Sequence, residues 1–99
     1  MAVMTKEEFA QHVKSDTLPM YRLAYSILQN SADAEDAVSE AIVHAYEKLE
    51  TLKKADSFRN WILQITANEA KKIYRHNKRT SPVAWEENLS PEFYDEHHE

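Results

Sequence analysis

A row of amide and cationic side chains runs along residues 57–79, whose apolar residues have the spacing of an α-helix, at roughly 100° per residue. From front to rear it contains Asn60, Gln64, Asn68, Lys71, Lys72, Arg75, Lys78 and Arg79. An amide both donates and accepts hydrogen bonds, so it can read the edge of a nucleic-acid base. Lys and Arg bind phosphate without reading sequence. The row favours an α-helix that binds nucleic acid, with amides at its front that read bases and cations at its rear that bind the phosphate backbone. The alternative is a solvated face whose cations suit a helix C-terminus.

The opposite side of this helix predicts a buried face. Its apolar members are Phe58, Trp61, Ile62, Ile65 and Ile73, and the face is widened by Leu63, Ala67, Ala70 and Tyr74. Asp56 or Ser57 is expected to cap the helix, because their side-chain oxygens accept hydrogen bonds from free backbone N–H groups. The loop before it, residues 50–56, contains Lys53 and Lys54 and a leucine, Leu52, that we expect to be exposed.

A second polar surface is expected on a helix over residues 32–49. Its inner face carries alanines, which allow a neighbouring helix to approach closely. Its outer face carries four carboxylates together with Ser39, Val43 and His44; the carboxylates belong to Asp33, Asp36, Glu40 and Glu47. Carboxylates spaced along one face can accept the forked donors of an Arg-rich partner. In the alternative, they only keep the protein soluble.

Two further helices are expected before residue 32. Thr5 and Glu8 have the spacing of a capping box, so a first helix is predicted over residues 6–14. Asp16 or Thr17 can cap a second helix that ends near Gln29. Leu18, Tyr21 and their apolar neighbours give this second helix more apolar surface than one stripe needs, so we expect it to be central.

Charge and composition divide the chain into blocks. The net charge is −5, but residues 53–79 hold eight Lys or Arg against two acids, whereas residues 86–99 hold six carboxylates and no Lys or Arg. Proline occurs only three times, and no glycine is present. We therefore predict an all-α fold: a compact bundle of three to four helices over residues 1–80, followed by an extended, disordered acidic tail over residues 81–99.

Several classes of function lack their motifs. The chain has no cysteine and no glycine, which excludes thiolate zinc sites, cysteine nucleophiles and Gly-rich phosphate loops. We expect no enzyme activity, no metal and no cofactor. No apolar run reaches membrane-spanning length, and the N-terminus lacks the apolar core of a signal peptide. A cytoplasmic protein without membrane insertion is expected.

Taken in order, these segments resemble region 2 of bacterial extracytoplasmic-function (ECF) sigma factors. The resemblance covers about residues 9–80. It rests on the motifs DAEDAVSEA (33–41), AY (45–46) and SFRNWI (57–62), and on Ile65, Ala67 and Asn68. It implies a domain that binds core RNA polymerase and recognises and melts the −10 promoter element.

The resemblance also implies roles for individual residues. The acidic helix would dock on the clamp coiled coil of core RNA polymerase through Asp33, Asp36, Ser39, Glu40 and Glu47. The non-template strand of the −10 element would contact the loop and the amide–cation row through Leu52, Lys53, Lys54, Asn60, Gln64, Asn68, Lys71, Lys72, Arg75 and Arg79. Phe58 and Trp61 would brace the loop. The family usually has glutamine in place of Ser39, and often an aromatic residue and a glycine where Leu52 and Lys54 stand.

The sequence leaves three hypotheses of function open. The first is a promoter-recognition domain of a sigma factor. The second is a sigma-like interaction domain that binds polymerase or an anti-sigma factor without reading DNA. The third is a helical bundle with no role in nucleic-acid binding. A complete family member also carries a second helical domain, region 4, which these residues do not supply.

Overall fold

Three helices make up the part of the chain that the structure describes. The computed structural model describes the backbone of residues 3–80 and the side chains of residues 3–78. The helices are α1 (Lys6–Leu28), α2 (Ser31–Glu47) and α3 (Phe58–Thr80), and single 3-10 turns lie at Leu49–Thr51 and Ala55–Ser57. The described residues contain no strand, so the predicted all-α fold is confirmed. The tail predicted for residues 81–99 lies outside the described residues.

α1 is one continuous helix, so the prediction of two helices was wrong. The break was expected at Asp16 or Thr17, ahead of Pro19. In the structure the helix passes through Pro19, and Thr17 Oγ1 donates to the carbonyl of Val13 at 2.7 Å. Pro19 has no N–H for the carbonyl of Ser15, four residues earlier. Because Ser15 is exposed, water can bond that carbonyl instead.

Side chains cap the starts of α1 and α2, and no glycine is used there. The predicted capping box is present at the start of α1, where the Glu8 N–H donates to Thr5 Oγ1 at 3.1 Å. Gln29 follows the last residue of α1, and its φ of 56° lies in the left-handed region that glycine usually occupies. Asn30 then caps α2, since the Asp33 N–H donates to its side-chain oxygen at 2.8 Å. The whole turn between α1 and α2 therefore takes two residues.

Contacts at the two ends of the bundle show in which direction each helix runs. Near the start of α1, the ring of Phe9 contacts Tyr46 at the end of α2 and Phe58 at the start of α3. At the other end, Asn77 of α3 donates to Asp33 at the start of α2 at 3.0 Å. α1 and α3 therefore run parallel, and α2 runs antiparallel to both.

The core lies between the three helices. On α2 it contains small side chains that are fully buried: the predicted Ala34, Ala41 and Ala45, and also Ala37, which was not predicted. Their size lets α1 and α3 approach closely. Met20 and Ala24 of α1 are also fully buried, but Leu18, which the sequence analysis counted among the apolar residues of this helix, is 54% exposed. Within residues 3–80, no helix has an apolar stretch long enough to cross a membrane.

Candidate nucleic-acid interface

The outward face of α3 presents three amides in a line, which we call the amide row: Asn60, Gln64 and Asn68. All three are exposed, and a spacing of four residues places them one above another on the helix. Gln64 Nε2 donates to Asn68 Oδ1 at 3.3 Å. This bond leaves the side-chain oxygen of Gln64 and both N–H groups of Asn68 for a ligand. The pair thus offers an acceptor beside two donors, a combination that suits a base edge.

Cations continue this face toward the end of α3. Lys72, Arg75 and Lys78 are exposed, and Lys71 is half-buried. Lys72 Nζ lies 3.4 Å from a carboxylate oxygen of Glu69, so part of its charge is balanced within the helix. Among the described side chains, Arg75 and Lys78 have no carboxylate within ion-pair distance. These two are therefore the cations best placed to bind phosphate.

The side chain predicted to end this row, that of Arg79, lies outside the described residues. Its backbone belongs to α3.

The loop before α3 borders an open hollow of about 580 Å³, large enough for a small ligand such as a single base. Its lining residues are Thr51, Leu52, Lys53, Lys54, Ser57, Asn60, Trp61 and Gln64. The hollow therefore joins the loop to the front of the amide row. The expectation that Leu52 is exposed was wrong, since its side chain is only 3% exposed and belongs to the core cluster. Lys53 and Lys54 are exposed at the rim.

Aromatic rings fix the start of α3, and so the position of the hollow. Phe58 is 1% exposed. Its ring centroid lies 4.8 Å from that of His12, 5.8 Å from that of Phe9 and 5.7 Å from that of Trp61. Trp61 is half-buried, because it packs against Phe58 and also lines the hollow. A base entering the hollow can thus meet an indole ring held in place by the core.

The acidic surface of α2 is the second candidate surface. Asp36, Ser39, Glu40 and Glu47 are exposed. Asp33 is half-buried and accepts the hydrogen bond from Asn77, so part of its carboxylate is used inside the bundle. In the same face Val43 is 51% exposed. The surface therefore combines exposed carboxylates with an exposed apolar side chain.

Both candidate surfaces lie in a stretch of sequence that matches a known family. Residues 14–80 match the family Sigma-70 region 2. The chain belongs to this family. It is also similar to the RNA polymerase sigma factor SigV of Bacillus subtilis (strain 168), with 34% identity over 59 residues. Those residues are 60% of this chain and 36% of SigV, so the chain spans about a third of that relative's length. No solved structure gave a significant match.

Both matches confirm the resemblance to region 2 of an ECF sigma factor that the ordered motifs indicated. The matched residues include all of α2, the loop and α3, together with α1 from Lys14 onward. Both candidate surfaces of the region 2 domain thus lie inside the match.

An ion pair between α1 and α3 of the region 2 domain was not predicted. Asp16, expected to cap a helix, is instead buried at 5% exposure, and Arg59 Nε and Nη2 each lie 3.0 Å from its Oδ1. Arg59 precedes Asn60, so the pair holds the first turn of the amide row. The sequence contained a signal for this burial. Asp16 lies seven residues after Phe9 and four before Met20, on the core side of the helix.

Two polar residues also occupy the buried stripe of α3. Thr66 is fully buried and donates from Oγ1 to the carbonyl of Ile62 at 2.8 Å. Glu69 is 7% exposed, and its Oε2 lies 2.5 Å from Nδ1 of His44 on α2. Because Thr66 and Glu69 lie four and seven residues after Ile62, the helical spacing places them on the buried side of α3. The Glu69–His44 contact fixes α3 against α2, while the other carboxylate oxygen of Glu69 lies near Lys72 on the cationic face.

Proposed function

We propose that this region 2 domain binds core RNA polymerase and recognises the −10 element of a promoter by holding bases of the non-template strand. The observation that carries the proposal is the exposed Gln64–Asn68 pair, which lies beside the hollow lined by Leu52 and Trp61. Bases can be read there only after they leave the duplex.

The geometry supports capture of an unpaired base. Opening a duplex costs a few kcal/mol per extruded base unless the flipped base is bound. Trp61 offers a ring for stacking, which is worth about 1–3 kcal/mol per base. Asn68 and Gln64 offer hydrogen bonds to base edges. Lys53, Lys54 and Arg75 can bind the phosphates on either side. Capture of this kind offsets the cost of melting, and no nucleotide is hydrolysed.

Polymerase binding is proposed for the acidic face of α2. Asp36, Glu40 and Glu47 can accept hydrogen bonds from Arg on the clamp coiled coil, and Val43 supplies the apolar contact that protein interfaces need at their centre. The acidic face and the amide row lie on different helices, so polymerase and DNA can be bound together. An anti-sigma factor that competes with polymerase would use the same acidic face.

Asn68→Ala tests the reading of bases. We expect it to lower discrimination between a matched and a scrambled −10 strand by roughly 1–3 kcal/mol, the usual value of a good base contact. The measurement is fluorescence anisotropy with labelled single-stranded and duplex oligonucleotides, on the polymerase-bound protein, at several salt concentrations. Gln11→Ala removes an exposed amide from α1 and is the matched control.

Arg75→Ala separates phosphate binding from base recognition in the same assay. It should weaken matched and scrambled strands equally and reduce the salt slope by about one. If Asn68→Ala also weakens both strands equally, the amide row reads no sequence and the proposed recognition is overturned.

The exposed Val43 favours a second candidate: an interaction domain that binds polymerase or an anti-sigma factor but reads no DNA. Under that function neither Asn68→Ala nor Arg75→Ala would change the affinity for any oligonucleotide, although the protein would still bind polymerase.

A further inference from the structure

The outward side of α1 carries large apolar side chains that neither candidate surface uses. Leu18 is 54% exposed and Tyr25 is 44% exposed, and Tyr21 between them is half-buried. Outward positions of a helix in a bundle are normally polar. Several large apolar residues together on one such face indicate an interaction site more than chance exposure.

Two cations flank this apolar surface. Lys14 and Arg22 lie on the same side of α1, four residues before and four residues after Leu18, and both are exposed. Among the described side chains, neither has a carboxylate within ion-pair distance. We call this surface the α1 stripe, and its members are Lys14, Leu18, Tyr21, Arg22 and Tyr25. It fits a partner that is both apolar and acidic.

Two other kinds of partner fit the stripe less well. A second copy packing stripe on stripe would bring Lys14 and Arg22 of one chain against the same cations of the other, which is repulsive. Single-stranded nucleic acid prefers open aromatic faces. Here the rings of Tyr21 and Tyr25 stack on each other, with centroids 6.0 Å apart and planes 26° apart, and the most exposed member, Leu18, cannot stack at all.

We propose that the α1 stripe binds residues 84–96 of the same chain. In this segment large apolar residues recur at every fourth position: Trp85, Leu89 and Phe93. Between and after them stand five carboxylates, those of Glu86, Glu87, Glu92, Asp95 and Glu96, and no Lys or Arg. The apolar side chains match Leu18 and the tyrosines, and the carboxylates match the two cations.

The path of the chain permits this contact. α1 and α3 end at the same end of the bundle, so the chain leaves α3 on the side where Tyr25 lies. The stripe from Lys14 to Tyr25 is about 17 Å long at 1.5 Å per residue. The thirteen residues that follow Thr80, ending at Phe93, can span up to about 45 Å when extended. The segment can therefore reach the whole stripe.

The cations of α3 are the competing site within the chain. That face offers charge to the carboxylates, but beside the amide row its apolar side chains, Trp61 and Ile65, are only half-exposed. The α1 stripe satisfies both the apolar and the acidic residues of the segment. Docking on the α1 stripe leaves the cations of α3 available to bind DNA.

Paramagnetic broadening of amide signals tests the proposal on the full 99-residue chain. The chain has no cysteine, so Ser90→Cys accepts a single nitroxide label. We expect a greater loss of signal from residues 14–25 of α1 than from Arg75 of α3. Loss confined to α3 would overturn the proposal. So would an absence of loss, or loss that appears equally when the nitroxide is carried only by a second, isotopically silent chain.

Leu18→Ser supplies the matched variant. It should abolish the broadening of α1, whereas Val43→Ser on α2, where the side chain is 51% exposed against 54% for Leu18, should leave it unchanged. If Leu18→Ser preserves the broadening with its helical spectrum intact, the apolar contact is wrong. Because neither DNA nor polymerase is present, failure here leaves the proposed promoter recognition standing, and failure of the oligonucleotide assay leaves this contact standing.

Discussion

At the scale of the residue, Asp16 is the position where a single partner matters most. Its carboxylate is buried; Arg59 Nε donates a hydrogen bond to Oδ1 at 3.0 Å, and Arg59 Nη2 forms an ion pair with the same oxygen. A buried carboxylate without a partner costs more than the pair gains, because water no longer solvates it. Arg59→Ala should therefore lower the free energy of unfolding by about 1–3 kcal/mol. Urea unfolding followed by circular dichroism measures the change.

The control for this substitution is Arg22→Ala, which removes an exposed arginine whose loss should change stability by less than about 0.5 kcal/mol. Equal unfolding midpoints for the two variants would show that the Asp16–Arg59 pair adds nothing to stability.

At the scale of the element, the turn between α1 and α2 stores local strain. Gln29 takes a left-handed conformation, which costs a residue with a Cβ roughly 1–2 kcal/mol relative to glycine. Gln29→Gly should therefore raise the free energy of unfolding by about 1 kcal/mol, part of the relief being offset by the greater freedom of glycine in the unfolded chain. Thermal and urea unfolding both measure it.

Gln29→Ala keeps the Cβ and should leave stability nearly unchanged, which separates backbone strain from loss of the glutamine side chain. A stabilisation of the same size in both variants would contradict the strain argument, since alanine relieves no left-handed strain.

At the scale of the whole molecule, opposite charges are carried by different helices. The acidic face lies on α2 and the cations lie on α3, so reversing the charge of one face should leave the other in place. Asp36→Lys together with Glu40→Lys should abolish binding to core polymerase and leave the helical signal unchanged. Size-exclusion co-elution and circular dichroism give the two measurements.

The matched control reverses two other exposed acids, Glu7→Lys and Glu35→Lys, which changes the net charge by the same amount but spares the acidic face. Binding that survives the Asp36 and Glu40 reversals at physiological salt would reduce the acidic face to a solubilising surface. Binding that is lost in both pairs would point to net charge alone.

Local features of this protein were determined by the sequence itself. The capping box at Thr5, the cap at Asn30 and the outward amide row of α3 all follow from residues three or four positions apart, which the helix brings together regardless of the rest of the chain. The same short-range logic gave the acidic face of α2 and its alanine core side. The ordered motifs were sufficient to indicate the family.

Only the tertiary structure decided which residues pair across helices and which are buried. Asp16 meets Arg59 from 43 residues away, and His44 meets Glu69 from 25, so neither caps nor periodicity could choose the partner. α1 stays whole across Pro19 because packing on α2 and α3 outweighs one missing hydrogen bond. Leu52 is buried in the same core cluster as Phe58, whereas Leu18, just as apolar, is 54% exposed. Burial depends on which residues the other helices cover, and the apolar pattern of a single helix does not specify this.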